Sequence, residues 1–506
     1  MPPMIRKTIL ALAATALAAC APAAPTTSPA PQSGTLRFLL INDVYFGDTL
    51  RDGTGGLARV AYLRDSLSKT GPLTFVLAGD FMSPSLITKW YRGEQMRQQL
   101  NAAKLDFVTL GNHEFELDRD TLLARVAGST FKWTSANCLQ PNGQSFPGIS
   151  KWDTTTINGV KVGVFGVTLV QEYRRYVKCF NADSTAHDAV VALKGAGAEI
   201  IYGLTHQNLE DDSALLAREP DIAFILGGHE HENHRILIGG RRLLKADANS
   251  RSAQLLTLTR TPSGWVQGDQ LIKIDRRFPF EPAAQAVVKA WTDTMVKRLG
   301  PERVIATTTF ALDGRDASNR ARESPLGDVV TDAVRLGNNV DVAIMNSGTM
   351  RIDDVIPAGP ITNYQVQSIF LFPDESRMLS FQVTRARLRE ILEHGVAETS
   401  VGKGPYLQVS GVKFTWDASK STGSRIVGDV MRPDGTPIKP ADVIRLSFGV
   451  YPSCEGGDGY VIPEAKDACA NRNSAPPAVE LLLKHITERL DGKLAPPPAG
   501  RVTRLN

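Results

Sequence analysis

The stretch Phe107-Val108-Thr109-Leu110-Gly111-Asn112-His113-Glu114 joins an apolar run to a glycine turn that is followed at once by polar side chains. Four more apolar runs of strand length end in polar residues in the same way, at Asn42-Asp43, Gly79-Asp80, Thr205-His206 and Gly227-Gly228-His229-Glu230-His231. Strands that are apolar throughout are buried on both faces of an α/β sheet, and ligands gather beyond the carboxyl ends of such strands. The pattern therefore predicts an α/β domain with one polar site at its strand ends.

The side chains at these strand ends are of the kinds that bind divalent metal ions. Four of the eight histidines stand there, together with two carboxylates and an amide, giving the set Asp43, Asp80, Asn112, His113, His206, His229 and His231. Nitrogen and oxygen donors suit first-row divalent ions, and no CxxC spacing supports a structural zinc site. Two ions about 3.5–4 Å apart can activate water and clamp the oxygens around a phosphorus atom.

The residue types also suggest how two ions would be shared. Asp80 is the natural bridging carboxylate between them. Asn112, His206 and His229 would complete the coordination of one ion, and Asp43, His231 and a third donor that of the other. We call Asp43, His231 and their third donor the first metal set. We call Asn112, His206 and His229, together with Asp80, the second metal set.

Length and composition indicate a globular protein of two large domains. The chain has 506 residues, of which 42% are hydrophobic and 22% charged, and this excludes a disordered or fibrous chain. The formal net charge of +4 gives no reason to expect a nucleic-acid polymer as partner. A connector with a helix over 282–299 is expected to precede the second domain. In that domain we predict helices over 324–336 and 384–395, and a strand over 340–345 that leads into Asn346.

The N-terminus reads as an export signal. Arg6 and Lys7 precede a short apolar stretch that ends Leu17-Ala18-Ala19-Cys20, which resembles a bacterial lipobox. The resemblance implies cleavage before Cys20 and lipid attachment to its sulfur, while a plain secretory signal is the alternative. The organisation we expect is a signal peptide (1–19), a Pro/Ala/Ser tether (20–34), a first domain (35–275), a connector (276–303) and a second domain (304–506).

The four remaining cysteines form an even number in a chain that we expect to be exported, which permits disulfides. Cys454 and Cys469 would close a short loop and are the better candidates, and Cys138 with Cys179 is a second possible pair. Buried free thiols are the alternative.

Taken together, these motifs resemble those of the calcineurin-like metallophosphoesterases, and more closely the two-domain family of 5′-nucleotidases and 2′,3′-cyclic phosphodiesterases. The resemblance covers about residues 35–500. It includes the segments Gly55-Gly56-Leu57-Ala58-Arg59, Asn346-Ser347-Gly348-Thr349-Met350-Arg351, Leu407-Gln408-Val409-Ser410-Gly411 and Gly456-Gly457-Asp458-Gly459-Tyr460. It implies a four-layer αββα metallophosphoesterase sandwich, followed by an α+β domain that recognises substrate.

The resemblance also assigns roles to individual residues. His113 becomes a transition-state residue that faces the phosphate. In the second domain, Arg351 would contact phosphate or carboxylate-like oxygens. The remaining recognition positions are Asn346 for base or ribose, Phe372 and Tyr451 as walls of a base-stacking clamp, and Asp458 for the ribose hydroxyls or the base.

Two positions depart from the family pattern. Tyr45 stands where the family has a metal-binding histidine, and a phenol with an ordinary pKa near ~10 is hard for a divalent ion to deprotonate. The first metal set could therefore take a different ion, bind its ion weakly, or complete its coordination with water. Glu116 stands where the family has an aspartate that orients His113, so it either keeps that role with a longer side chain or is a solvated loop carboxylate.

The function that this resemblance implies is a metal-dependent phosphatase that hydrolyses nucleotides through attack of metal-activated water on phosphorus. It would use two divalent ions (Zn, Mn, Co or Mg) and act as a monomer, and its lipid anchor would hold it at the bacterial cell envelope, periplasmic or surface-facing. The alternatives are a 2′,3′-cyclic phosphodiesterase, a hydrolase of sulfur esters, and a catalytically weak nucleotide-binding lipoprotein.

Overall fold

The computed structural model describes residues 34–171, 173, 175–372 and 376–506. The predicted signal peptide, the lipidation site Cys20 and the tether up to residue 33 lie outside the described residues. None of the helices in the described part of the chain combines the length and the apolar composition that crossing a bilayer requires.

The first half of the chain contains two large β-sheets. The first sheet is seven-stranded, in the order Gly264–Lys273, Ser252–Thr261, Thr35–Ile41, Thr74–Ala78, Phe107–Thr109, Lys132–Thr134 and Ile149–Ser150. The second sheet is six-stranded, in the order His234–Ile238, Arg241–Lys245, Phe224–Gly227, Ile200–His206, Val160–Thr168 and Trp152–Ile157. The central strands of both sheets run parallel to their neighbours, so their carboxyl ends lie at one edge of each sheet.

Each sheet is covered on its outer face by helices, and apolar side chains fill the three spaces between these four layers. Phe38, Tyr202 and Phe224 pack together between the sheets. A second apolar layer lies between the first sheet and its helices, and a third between the second sheet and its helices. The helices of this half are Leu57–Ser68, Thr88–Tyr91, Glu94–Ala102, Arg119–Gly128, Ala182–Gly195, Leu209–Arg218 and Pro282–Leu299. The result is a four-layer αββα sandwich.

The predicted connector helix is confirmed as Pro282–Leu299. It begins with Glu281 as N-cap, whose side chain accepts a hydrogen bond from the Ala284 N–H. It packs on the first domain, where the Trp291 indole donates to Gln98 at 3.1 Å and the Thr292 hydroxyl donates to Asp48 at 3.0 Å.

The second half of the chain is an α+β domain built from small sheets. Its four-stranded sheet has the order Met378–Thr384, Val443–Gly449, Val342–Asn346 and Leu407–Ser410. The other strands form the groups Gly359–Thr362, Val304–Thr308 and Lys493–Leu494; Leu312–Asp313 and Val355–Ile356; and Ile426–Met431, Lys413–Asp417 and Val502–Leu505. The helices are Asp316–Asn319, Pro325–Gly337, Asn363–Ile369, Arg385–Gly395, Val450–Cys454, Lys466–Ala470 and Ala478–Lys484. The predicted mixed α/β architecture of two domains is confirmed.

The predicted element ends are close to the observed ones. Ser324 caps the helix Pro325–Gly337, which includes Gly337 instead of ending before it. Thr384 caps the helix Arg385–Gly395. The predicted strand over 340–345 starts two residues later and runs over Val342–Asn346, so Asn346 belongs to the strand.

Both candidate cysteine pairs form disulfides. Cys138–Cys179 joins two paired short strands, Cys138–Leu139 and Lys178–Cys179. Cys454–Cys469 links the helices Val450–Cys454 and Lys466–Ala470.

Candidate active site

Asp80 lies at the centre of the polar residues that follow the strands of both sheets. Its side chain is buried, and its Oδ2 atom lies 3.0 Å from His206 Nε2. His206 is the last residue of a strand of the other sheet. Its Oδ1 atom accepts a hydrogen bond of 2.8 Å from the backbone N–H of His113. Burial opposes ionisation of Asp80, but the neighbouring His206 and His113 outweigh it and hold the pKa of this carboxyl well below its usual range.

The second metal set is assembled around Asp80. Donor atoms of Asp80, His206 and His229 all lie within 4.8 Å of one another. The Oδ1 atom of Asn112 is buried and has no hydrogen-bond partner among the described residues. A buried carbonyl oxygen without a partner is unfavourable, and a cation would satisfy it. The donor set and this orphaned oxygen fit a divalent ion.

The first metal set contains a phenol among its donors. The Tyr45 hydroxyl lies 3.0 Å from His231 Nε2 and donates to Asp80 Oδ2 at 3.2 Å. His231 Nε2 is in turn 3.5 Å from Asp43 Oδ1. Burial, and then the charges of Asp80 and Asp43, raise the pKa of Tyr45 well above its ordinary value. These neighbours favour the neutral phenol, which is a weaker metal donor than a phenolate or an imidazole.

The backbone of several of these residues has an unusual conformation. Asp43, Asp80, His229 and His231 have φ values of 53°, 56°, 96° and 62°. Non-glycine residues with positive φ cost on the order of 1–3 kcal/mol each and cluster at functional sites. Gly79, before Asp80, has φ 74°, and a Cβ there would lie 2.6 Å from His206 Nδ1. The turn after this strand therefore requires glycine.

Glu114 holds the Asp80 and Asn112 loops together. Its buried carboxylate accepts four backbone N–H bonds, from Gly111 at 2.7 Å, Asp80 and Phe81 at 2.9 Å each, and Met82 at 3.1 Å. Glu114 had no predicted role. Its place between His113 and a phenylalanine could have indicated a buried carboxylate, and such a carboxylate needs several N–H donors.

Lys245 also had no predicted role, and it contacts the segments that follow His206 and surround His229 in the second sheet. Its fully buried ammonium contacts the carbonyl oxygens of Gln207 at 2.7 Å and Gly228 at 2.8 Å, and the carboxylates of Glu230 at 2.6 Å and Asp212 at 3.0 Å. It thus ties together the loops that carry His206, His229 and His231.

His113 and Glu116 form a pair beside Asp80. His113 Nδ1 lies 2.7 Å from Glu116 Oε1, and the Ser83 hydroxyl donates to Glu116 Oε2 at 2.7 Å. This contact favours the orienting role of Glu116 over the solvated carboxylate. Burial works against protonation of His113, but the charges of Glu116 and Asp80 outweigh it and raise the pKa of the imidazole. Burial would raise the pKa of Glu116, yet His113 and Arg351 lower it to about 2.

Arg351 of the second domain reaches this pair. Its guanidinium forms an ion pair with Glu116 and lies 3.4 Å from His113 Nδ1. The same group lies over the Phe372 ring, 5.3 Å from its centroid. The structure therefore brings two of the predicted substrate residues against the predicted catalytic pair.

The remaining predicted substrate residues form a neighbouring group. The Asn346 amide donates to Asp458 Oδ2 at 2.6 Å. The Tyr451 ring packs against Gly457, the residue before Asp458, since a Cβ on Gly457 would lie 2.4 Å from the ring. Arg320, which the sequence did not single out, is partly buried and lies close enough to Arg351 and Asp458 for their charges to affect its pKa, which burial lowers. Arg320 lies in a polar segment, so its partial burial could not be predicted.

Comparison with known proteins supports both halves of this description. Residues 36–233 match the family model for the calcineurin-like phosphoesterase, and residues 304–464 match that for the 5′-nucleotidase C-terminal domain. The chain belongs to this two-domain family. It is accordingly a phosphoester hydrolase.

Individual relatives share the family at low sequence identity. The chain is 25% identical to "Endonuclease YhcR" of Bacillus subtilis over 85% of its own length, but it spans only 38% of that protein. It is 23% identical to "Snake venom 5′-nucleotidase" of Naja atra, over 90% of this chain and 94% of the relative. The crystal structure of the 5′-nucleotidase precursor from Thermus thermophilus superposes with a TM-score of 0.76 at 23% identity, over 93% of this chain and 99% of that one.

Replacing Glu116 by Gln should change the pH dependence of this phosphoesterase. The Glu116 carboxylate favours the imidazolium form of His113, so its removal lowers the pKa of His113. If protonated His113 is required, activity is lost as pH rises through this pKa, and the alkaline limb of the kcat/KM profile shifts to lower pH. Ser83→Ala is the matched control, because it removes a hydrogen bond from Glu116 and keeps the charge. An alkaline limb that does not move in Glu116→Gln would contradict the pairing.

Replacing Tyr45 by His should strengthen the first metal set. We expect about one ion per chain to remain on the wild type after dialysis and about two on Tyr45→His, because imidazole replaces a neutral phenol as donor. Turnover at limiting metal should rise in parallel. Metal content is measured by elemental analysis, with Tyr45→Phe as a control that offers no donor. Equal stoichiometry in all three proteins would show that Tyr45 does not limit metal binding.

Proposed function

We propose that this protein is an exported, lipid-anchored phosphatase that hydrolyses nucleotides with the help of two divalent metal ions. One observation carries the proposal: Arg351 of the second domain pairs with Glu116, next to His113 and the metal residues of the first domain. A guanidinium suited to phosphate recognition therefore stands directly at the predicted catalytic group.

Asp80, Asn112, His206 and His229 would hold one ion, and Asp43, His231 and Asp80 the other, with Tyr45 beside it. Bound divalent ions lower the pKa of a water nucleophile and neutralise charge on phosphoryl oxygens. His113, kept protonated by Glu116, donates toward the phosphoryl or leaving oxygen as negative charge develops there. Arg351 orients the phosphate, and the positions of both groups are set by the same carboxylate of Glu116.

The second domain supplies the groups that would select a nucleoside. Phe372 and Tyr451 offer aromatic faces on which a base can stack. Asp458 and Asn346 offer a carboxylate and an amide for ribose hydroxyls or base edges, and their mutual hydrogen bond would open to admit a ligand. The partly buried Arg320 adds a second cation close to Arg351.

An activity screen of the purified mature protein tests this function. It measures phosphate released from monoesters, nucleoside monophosphate formed from cyclic nucleotides and sulfate released from the sulfur ester. The substrates are nucleoside 5′-monophosphates, 2′,3′-cyclic nucleotides, sugar phosphates and a sulfur ester, each with Mn, Zn, Co or Mg. We expect release from nucleoside monophosphates to exceed that from sugar phosphates, because base and ribose contacts add binding energy. Asp80→Asn is the inactive control, since it removes the bridging carboxylate.

The other outcomes of this screen distinguish the alternatives. Preference for cyclic nucleotides identifies a phosphodiesterase, and turnover of the sulfur ester alone identifies a sulfur-ester hydrolase. No turnover with any metal, together with nucleotide binding in a calorimeter, identifies a binding lipoprotein in which the Tyr45 and Glu116 changes have removed the chemistry.

The proposed anchor rests on the lipobox-like end of the leader and has its own test. Expressed as the full chain in a bacterium that processes lipoproteins, the wild type should incorporate a labelled fatty acid and sediment with membranes. Cys20→Ser should lose the label and become soluble after export, while Ser28→Ala in the same tether should behave like the wild type. Label that persists in Cys20→Ser would refute attachment at this residue.

A further inference from the structure

His231 lies between carboxylates of the two domains, one at each ring nitrogen. Its Nε2 atom faces the first metal set, 3.5 Å from Asp43 Oδ1 and 3.0 Å from the Tyr45 hydroxyl. Its Nδ1 atom lies 3.3 Å from Oδ2 of Asp353, which belongs to the second domain. The nitrogen of His231 that points away from the metal site is therefore contacted by Asp353, a residue of the other domain.

Asp353 is held in place for this contact. Its other carboxylate oxygen, Oδ1, accepts a hydrogen bond of 2.9 Å from the backbone N–H of Asp316. Its backbone has φ 37°, a left-handed conformation that is unfavourable for a residue with a side chain. Its side chain is 36% exposed, so solvent weakens but does not abolish the interaction with His231. Only one residue, Ile352, separates it from Arg351 on the same loop.

The contact has the geometry of a second-sphere partner of a metal ligand. A histidine that binds metal through one nitrogen generally donates its other N–H to a carboxylate or carbonyl, which fixes the tautomer and the ring orientation. For His206 this partner is the carbonyl oxygen of Ala78, at 2.7 Å and within the first domain. For His231 the partner is Asp353, from the second domain. His206 and His231, one from each metal set, thus differ in which domain supplies this partner.

We propose that Asp353 is the positioning residue for His231, so that seating the second domain on the first strengthens ion binding by the first metal set. The inference rests on the two-ion function proposed above and deepens it. Because Tyr45 supplies a weak donor to this set, its affinity depends more heavily on a correctly oriented His231. His206 of the second metal set has its carbonyl partner within the first domain, so we expect no such dependence there.

Two substitutions at Asp353 and one at its neighbour form the test. Asp353→Asn removes the charge, and Asn tolerates positive φ. Asp353→Gly removes the whole side chain and adopts positive φ without strain. Asp354→Asn is the matched control, since Asp354 lies next in the loop and its carboxylate accepts from its neighbour Val355. Each protein is stripped of metal and titrated with Mn²⁺ or Zn²⁺ in a calorimeter, with elemental analysis of the ions retained.

We expect the weaker of two ion-binding events to lose about 10–100-fold in affinity in Asp353→Gly and less in Asp353→Asn. The tighter event should not change, and Asp354→Asn should match the wild type. Saturating metal should restore the kcat of Asp353→Asn toward that of the wild type, which a purely structural defect would not allow. The thermal unfolding of each metal-free protein checks that the variants fold.

Two results would overturn the proposal. Wild-type affinity for both ions in Asp353→Gly would mean that the contact has no influence on metal binding. An equal loss for both ions would point to a general disturbance of the site instead of a role through His231. Because the titrations need no substrate, they decide this question even if the wild type fails to hydrolyse nucleotides, which would refute only the proposed function.

Discussion

The four hydrogen bonds that the Glu114 carboxylate accepts determine where the polar residues of the site lie. They join the backbone after one strand of the first sheet, at Asp80, Phe81 and Met82, to the backbone after the next strand, at Gly111. Because a buried carboxylate is tolerable only when its oxygens are fully hydrogen-bonded, the two loops must keep this spacing. Asp80 is thereby aimed at His206 in the other sheet, and the His113 N–H at Asp80. The strained backbone of Asp80 is held by these same contacts.

Much of this arrangement could be predicted from the sequence because each strand is an apolar run with a sharp polar end. Burial on both faces of a sheet makes such runs visible, and the carboxyl ends of parallel strands are where polar loops can meet. The distribution of the strands over two sheets could not be predicted in the same way, because an apolar run does not specify its neighbour. The strands before Asp80 and His206 look alike in sequence, yet they belong to different layers.

The residues that the sequence did not reveal are those whose role depends on a distant partner. Lys245 is the last residue of the strand Arg241–Lys245, and its role becomes clear only when Asp212 and Glu230 are seen around its ammonium. Arg320 lies in a stretch of charged residues that is typical of a solvated surface, yet the packing of the second domain partly buries it. Asp353 is separated from His231 by a domain boundary. Local patterns describe which face of an element is buried, but not which charged group will stand opposite.

The division of the site between two domains explains why the departures at Tyr45 and Glu116 need not remove its chemistry. A glutamate at 116 is long enough to accept from Ser83, contact His113 and pair with Arg351, so one carboxylate contacts both the predicted catalytic imidazole and the second domain. Asp353 lies two residues after Arg351 in the second domain, and it contacts His231 at the ring nitrogen opposite to the one near Tyr45. The loop over 351–353 thus contacts one residue predicted to act on phosphate and one predicted to bind metal. Any rotation of the second domain that admits a substrate must break or re-form both contacts, and this would couple substrate entry to the geometry of the first metal set.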